Sequence, residues 1–582
     1  MPNLLAMSFE GELAPSLDLV CLRPGRTLPD GWGIGYYPGG EPSASVLKEP
    51  APPTGSIRGE LVKAWEHLES SLFLLHIRTA TWGSVSDANT QPFSRSWGGR
   101  DWLFAHSGSM KDRLSPEPEA RFEPVGSTDT ENVFCRLLNW LFEQRKRSLG
   151  DVDPVVLRDW FAAMNDHGGL TSVLTDGRDL VVYADRRGDG DAYLWKVTPP
   201  HDRPSFSDQD LVIDLSSRGM PARKGVLVSS EKLTPAEGVA GEWVGVAPGT
   251  LLVIRQGAIT AEVGAASPDG GSVRPVGGSR ATMQRPMTAQ VQRYEVKHRT
   301  VYRYKEPVVR SAHLFRLTPV HDRLQELIEH HLHISVDGRQ RDYEDVFGNR
   351  ARRLLVDTPF SEMVLEARSL VELRDTDPLS FRPLRARSMI PLVWMPWQRQ
   401  ILQPYLLPPE LPESELAELV DYGMSFVERN DYDLLDTLLD LNSTIFNEYK
   451  YAAGTTTLST TAFDVYANRR GVCQDFTNLF ICLARLLGVP ARYVCGYIYT
   501  GPKHDNQRQG EASHAWLQVY LPEVGWKGFD PTNGILTQTQ HVRVAVGRNY
   551  VDATPTSGTI YVGGGGETLE VDVRVEPVER GG

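Results

Sequence analysis

Three side chains in the rear part of the 582-residue chain have the types and the order of an activated nucleophile. Cys473 stands in Gly471-Val472-Cys473-Gln474-Asp475-Phe476, His514 in Ala512-Ser513-His514-Ala515-Trp516, and Asp530 in Phe529-Asp530-Pro531-Thr532-Asn533-Gly534. A thiol needs a base to become a thiolate, and the base needs a group that fixes its tautomer and orientation. Most free cysteines are merely small apolar residues. Cys473 differs by position. Behind it Phe476, Leu479, Phe480, Leu483, Leu486 and Leu487 recur at three- and four-residue spacing, the apolar stripe of a helix, and Gly488 and Pro490 end it. The thiol therefore falls in the first turn, where the helix dipole and unpaired N–H groups favour the thiolate.

The surrounding pattern says how the three are brought together. Ala515, Leu517 and Val519 alternate on one face of a strand, with His514 on the other. Pro522 to Gly525 reads as a turn, and Trp526-Lys527-Gly528-Phe529 then leads into Asp530. Two strands joined by that turn place His514 beside Asp530. Tyr493, Cys495, Tyr497 and Tyr499 alternate as a further strand, whose tyrosines either line an acyl-donor cleft or simply pack. Residues from Pro408 to Asn447 read as helical, with Leu416, Leu419, Tyr422 and Phe426 on one stripe.

These residues resemble a known family. The GVCQDF, SHAW and FDPTNG stretches are similar to the Cys, His and Asp motifs of the transglutaminase-like superfamily, which has a papain-like mechanism. Phe446 to Tyr451, the Thr455 to Thr461 run and the stretch from His541 to Tyr550 look like the bacterial members. The resemblance implies catalytic roles for Cys473, His514 and Asp530, with the Cys473 backbone N–H and the Tyr451 hydroxyl as oxyanion donors. It implies no metal and no cofactor, and a peptide, protein or small amide as substrate. Transfer to an amine and hydrolysis use the same three residues, so a cysteine amidase or peptidase is the alternative, and a non-catalytic scaffold the second. Strands expected at Tyr294–Tyr304, His313–Pro319, Ile328–Val336 and Met363–Leu373 look like the β-rich module that precedes bacterial cores. His330, His331 and His333 on one of them are read as surface residues and not as metal ligands.

The front half carries other motifs: Asp30 to Tyr36, His76-Ile77-Arg78-Thr79-Ala80-Thr81, Phe104-Ala105-His106-Ser107-Gly108-Ser109, Gly126 to Glu131, Leu174 to Gly177 and Ser229 to Leu233. Together they resemble the class II glutamine amidotransferases, which have an N-terminal-nucleophile (Ntn) fold, an αββα sandwich. By that resemblance Arg78 clamps an α-carboxylate and Asp129 an α-ammonium, two charge-assisted contacts, with Ser107 and Gly108 beside the ligand. Two departures bear on activity. Pro2 stands where the family has its nucleophilic cysteine, and Ser107 where it has the asparagine of the oxyanion hole. A prolyl side chain forms no thioester, so glutaminase chemistry is expected to be absent, leaving a binder of a glutamine-like ligand or a scaffold.

Composition bounds the rest. With 61 basic and 74 acidic residues, the net charge is 61 − 74 = −13, without long single-sign blocks, which argues against a nucleic-acid partner. No apolar run has the length of a membrane span, and the front shows no signal-peptide pattern, so a cytoplasmic bacterial protein is expected. Five cysteines suit reduced thiols, with Cys21, Cys135, Cys482 and Cys495 as packing residues. The expected organisation is α+β and multidomain: the Ntn-type αββα sandwich over 1–264, a Gly/Pro/Ser/Arg-rich linker over 265–290, the β-rich module over 291–375, and a papain-like transglutaminase core with C-terminal strands over 376–582.

Overall fold

A computed structural model describes residues 3–19, 28–40, 42–53, 56–64, 68–79, 83–110, 120–188, 191–201, 204–207, 211–215, 222–265, 291–374, 388–454, 457, 460–501, 513–522 and 524–578, and the backbone of 273–274. Pro2, Cys21, Ala80, Thr81, most of the 265–290 stretch and part of the Thr455 to Thr461 run lie outside the described residues. The chain folds as two compact units, Met1–Ala281 and Thr282–Gly582.

The first unit is a sandwich built on two seven-stranded sheets. The strand Leu4–Leu13 shows how the sequence specifies it. Leu4 and Ala6 point between the sheets and meet Leu72, Leu74, Leu103, Val173 and Val182, while Leu5, Met7 and Phe9 point outward to Trp32, Ile34 and Phe73. A buried strand with apolar residues on both faces has no polar side to expose, which places it at the centre of a layered fold. Helices Asp129–Glu143 and Pro154–Met164 cover the outer face of one sheet through Phe134, Leu137, Leu141, Leu157 and Phe161. The other sheet is covered by the short helix Ile57–Ala64 and a four-stranded sheet carrying Leu17, Phe206, Leu211 and Ile213.

The second unit joins a β-rich module to an α+β core. Strand Val291–Phe315, 25 residues long, pairs along one edge with Phe360–Arg374. Along the other edge it pairs with the last two strands of the chain, Thr556–Gly563 and Glu567–Pro577. In the core, helices Glu413–Arg429, Leu434–Glu448 and Cys473–Leu486 accompany a five-stranded antiparallel sheet. Its order is Ile535–Leu536, Gly525–Asp530, His514–Leu521, Ala491–Ile498, His541–Gly547. The segment read as helical from Pro408 to Asn447 holds two helices, because Asp431 and Tyr432 adopt left-handed φ values of 56° and 61° and Asp433 caps the second helix through the Asp436 N–H.

Module and core share a packed face of Tyr294, Val296, Val371 and Leu373 against Tyr497, Val542 and Val544. Tyr493 and Tyr497 of the alternating run are buried, Tyr497 bonds His298 and the half-buried Tyr499 meets Tyr294 at a tilt, so the described contacts of these tyrosines are packing contacts. The edge strand His541–Gly547 is closed by side chains. Gln325 donates to the Arg543 carbonyl at 2.7 Å and accepts the Arg543 N–H at 2.8 Å, and Asn349 does the same for Val546 at 2.8 Å each way. Of the three histidines on strand Gln325–Ile334, His331 and His333 are exposed as expected, whereas His330 is half-buried between Ser369 and Thr318.

Candidate active site

Cys473 is the first residue of its helix, and the helix is held in place by the expected stripe: Phe476, Leu479, Phe480, Leu483 and Leu487 are buried. Asp475, itself buried, accepts the Val472 N–H at 2.8 Å and so ties the turn that presents the thiol. Gly471 allows this turn, because a Cβ there would lie 2.8 Å from the Asp475 Cβ. The Cys473 side chain is partly exposed, whereas Cys135, Cys482 and Cys495 are buried. Burial pushes the Cys482 and Cys495 thiols up to about 12 and that of Cys135 to about 11.

His514 opens its strand and Asp530 closes the next one. The register Leu517↔Phe529 and Leu521↔Gly525 folds the hairpin so that His514 Nε2 lies 2.8 Å from Asp530 Oδ2. With Nε2 committed to the carboxylate, Nδ1 is left for Cys473, whose sulfur lies close enough to the His514 ring to act on its proton. Burial opposes a charge on this imidazole, but the Asp530 carboxylate and then the Cys473 sulfur outweigh it and hold its pKa up at about 10. Burial likewise opposes charge on Asp530, yet His514 and His541 hold it far below the usual carboxylate range. Tyr451 lies near Cys473, and burial, with the charges of Cys473 and Asp475, pushes its phenol up to about 12, so the hydroxyl keeps its proton.

Two neighbours of Asp530 had no assigned role in the sequence. His541 Nε2 is 3.1 Å and Asn533 Nδ2 2.7 Å from the same Oδ2, while Oδ1 takes the backbone N–H groups of Thr532 and Asn533 at 3.0 and 3.2 Å. Asn533 lies inside the FDPTNG motif, three residues on, a spacing that suits a local turn. His541 opens the stretch to Tyr550 that resembles the bacterial members, but nothing in its spacing ties it to Asp530; the fold of the sheet brings it in. Together His514, Asp530 and His541 offer three ligand atoms within 4.8 Å, as a metal site would. All three are buried and their facing atoms are spent on one another, so a cation there would take Asp530 from His514.

In the first unit, Arg78, Ser107, Gly108 and Asp129 line one cavity of about 680 Å³ together with His76, Gln91 and Gly169. Arg78 ends the strand Ser70–Arg78, Ser107 ends Arg100–Ser107, and Asp129 begins the helix Asp129–Glu143. Asp129 is fixed by the N–H groups of Met110 and Thr130, each at 2.9 Å, and Arg78 Nη2 donates to the Gly83 carbonyl at 3.4 Å. Gly108 has φ 140°, and a Cβ there would stand 2.4 Å from the Gly169 oxygen, so no larger residue fits this wall. Burial, then His106, depresses the His76 ring to about 3, leaving a neutral imidazole beside the cationic Arg78.

Comparison with known proteins agrees with this division. The family of class II glutamine amidotransferases matches residues 1–274, the bacterial transglutaminase-like N-terminal region matches 294–372, and the transglutaminase-like superfamily matches 424–531. An uncharacterized protein of Mycobacterium tuberculosis is 32% identical over 304 residues, covering 49% of this chain and 93% of its own. The Escherichia coli protein YafJ, which carries a provisional glutamine amidotransferase name, is 33% identical over 255 residues, covering 42% and 92%. A crystal structure of a predicted glutamine amidotransferase from Pseudomonas aeruginosa is 27% identical with a TM-score of 0.37, covering 44% of this chain and 98% of that one. The chain thus belongs to the class II glutamine amidotransferases by its first unit, and its second carries a bacterial transglutaminase-like N-terminal region followed by a transglutaminase-like core.

Proposed function

We propose that the second unit is a thiol acyl-transfer enzyme acting on a carboxamide or peptide bond through Cys473, His514 and Asp530. The reading rests on one observation: a buried imidazole with a buried carboxylate 2.8 Å from Nε2 and a partly exposed thiol near enough to act on its proton. The Cys473 thiolate attacks the carbonyl carbon, and the oxygen that gains charge takes hydrogen bonds from the Cys473 backbone N–H and the protonated Tyr451 hydroxyl. The His514 imidazolium gives its proton to the leaving ammonia or amine, and a thioester on Cys473 remains. An amine or water then adds, losing its proton to His514, and the thiolate departs. Asp530 keeps the ring in the tautomer that this sequence needs.

The first unit, in this reading, binds a glutamine-like ligand between Arg78 and Asp129 without covalent chemistry, because Pro2 offers no nucleophile. The test uses the whole chain, a glutaminyl peptide and a γ-glutamyl amide, each with and without a labelled primary amine. Ammonia release or amine incorporation that disappears in Cys473→Ala supports the reading, and a peptide mass added to Cys473 identifies the thioester. No turnover and no adduct on any of these probes would leave the scaffold reading in its place.

A further inference from the structure

We propose that His541 is a positioning residue of the Cys473–His514–Asp530 reaction, a second imidazole that holds the Asp530 carboxylate in place for His514; this rests on the function proposed above. Asp530 Oδ2 has His514 Nε2 at 2.8 Å, His541 Nε2 at 3.1 Å and Asn533 Nδ2 at 2.7 Å. An ionised carboxylate only accepts, so both rings present N–H at Nε2. For His514 this sets the tautomer that turns Nδ1 toward the sulfur. For His541 it leaves Nδ1 buried with no hydrogen-bond partner. A bare ring nitrogen in that place costs less than an N–H without an acceptor, so the His541 ring is neutral. Burial, only partly offset by Asp530, acts in the same direction. The site therefore has two imidazoles on one oxygen with different tasks: one accepts and returns a proton, the other does not change its charge.

Aromatic packing and a braced strand hold the ring in place. Trp516 packs edge-on against it at 5.1 Å between centroids and touches His514 on the same face of the sheet, at 5.8 Å. Two residues along the strand, Gln325 of the β-rich module grips the Arg543 backbone in both directions, and the Arg543 guanidinium is bidentate to Asp322 at 2.7 and 2.8 Å. The charged groups that face His541 are Asp530 and His514, which reach it at the strand ends from three and two strands across the sheet. Taking away the His541 N–H leaves Oδ2 with one donor fewer and one restraint fewer. The carboxylate then pulls harder on the His514 proton and holds the ring less well.

The test needs no substrate. Alkylation of Cys473 by iodoacetamide, followed by mass spectrometry from pH 5 to 10, reads how well His514 serves the sulfur. Loss of one hydrogen bond to a charged group corresponds to about a tenfold fall in rate at neutral pH in His541→Leu, with the alkaline limb moved upward. His541→Gln, which keeps an N–H donor at similar reach, should stay within about twofold of the unaltered chain. Equal losses in the Leu and Gln variants, with unchanged melting, would overturn the proposal, as would wild-type rates in both. If Cys473 of the unaltered chain reacts no faster than Cys482, the acyl-transfer reading fails first, independently of His541. Should His541→Leu fail to fold, histidine-labelled nitrogen spectra of the unaltered chain decide: a neutral Nε2–H ring at position 541 near pH 7 supports the inference, and a doubly protonated one refutes it.

Discussion

Acid should loosen the β-rich module well before it reaches the usual carboxylate range, and the cause is three histidines, two buried and one half-buried. His298, His313 and His330 each sit near 4 instead of 6.5, in every case chiefly through burial. His298 bridges Thr300 at 2.6 Å and Tyr497 at 2.9 Å, His313 meets Ser311 at 2.8 Å, and His330 lies between Ser369 and Thr318. A folded value below the unfolded one means stability that is complete above pH 6.5 and lost as the pH falls toward 4. For a fully buried ring the loss is roughly 3 kcal/mol. We assign about that to His298, about 2 kcal/mol to His313 and about 1.5 kcal/mol to His330, which solvent reaches most. The sum is on the order of 6 kcal/mol by pH 4, and about 4 kcal/mol by pH 5, against a typical domain stability of about 5–15 kcal/mol. Hydrogen exchange read by mass spectrometry over 291–315, 325–334 and 360–374, corrected for the intrinsic pH dependence, should therefore show protection falling steeply between pH 6.5 and 4.5. His298→Gln, which cannot charge, should flatten the decline by about half, in proportion to its share. Protection that is constant over this range, or an unchanged slope in His298→Gln, would refute the reasoning.

Other outcomes follow from the site. Iodoacetamide at neutral pH should label Cys473 ahead of Cys135, Cys482 and Cys495, which are buried, and equal labelling of Cys482 would remove the case for a nucleophile. His514→Ala should lower amide turnover more than Asp530→Asn, since the first removes the base and the second only misplaces it; wild-type rates in both would refute the triad. The whole chain with Cys473→Ala should bind glutamine or a γ-glutamyl peptide in calorimetry, lose that binding in Arg78→Ala or Asp129→Ala, and release no ammonia. Gly496→Ala should destabilise the core sheet by several kcal/mol or displace a strand, because a Cβ there would stand 2.0 Å from the Val542 oxygen; a melting temperature within a degree of wild type would contradict the packing.

What the sequence disclosed follows from how local each feature is. The cysteine helix was legible because its stripe and its stop lie within one segment, and the hairpin that joins His514 to Asp530 because a short turn links the two. The break at Asp431 and Tyr432 was not, since neither residue is a glycine and both take left-handed φ under tertiary constraint. The link from His541 to Asp530 escaped notice for a different reason: the two lie across the sheet from one another, and the register that brings His541 there involves a bulge between Cys495 and Gly496. The cavity of the first unit draws Arg78, Ser107 and Asp129 from two strand ends and a helix start, which no spacing along the chain announces; only the resemblance pointed to them.

The pairing of the last strands with Val291–Phe315 has a consequence for how the second unit comes into being. Tyr294 lies opposite Pro577, so 577 − 294 = 283 residues separate partners that touch. The whole core, helices and active-site sheet included, is spelled out between two strands of one module. During synthesis the long strand waits with one edge open until the residues up to Pro577 have been made, a slow closure that exposes a template for mispairing. A nascent chain stalled before Thr556 would hold Cys473, His514 and Asp530 and still lack the strands that close the second edge of Val291–Phe315, so the module's sheet closes only after the core has been made.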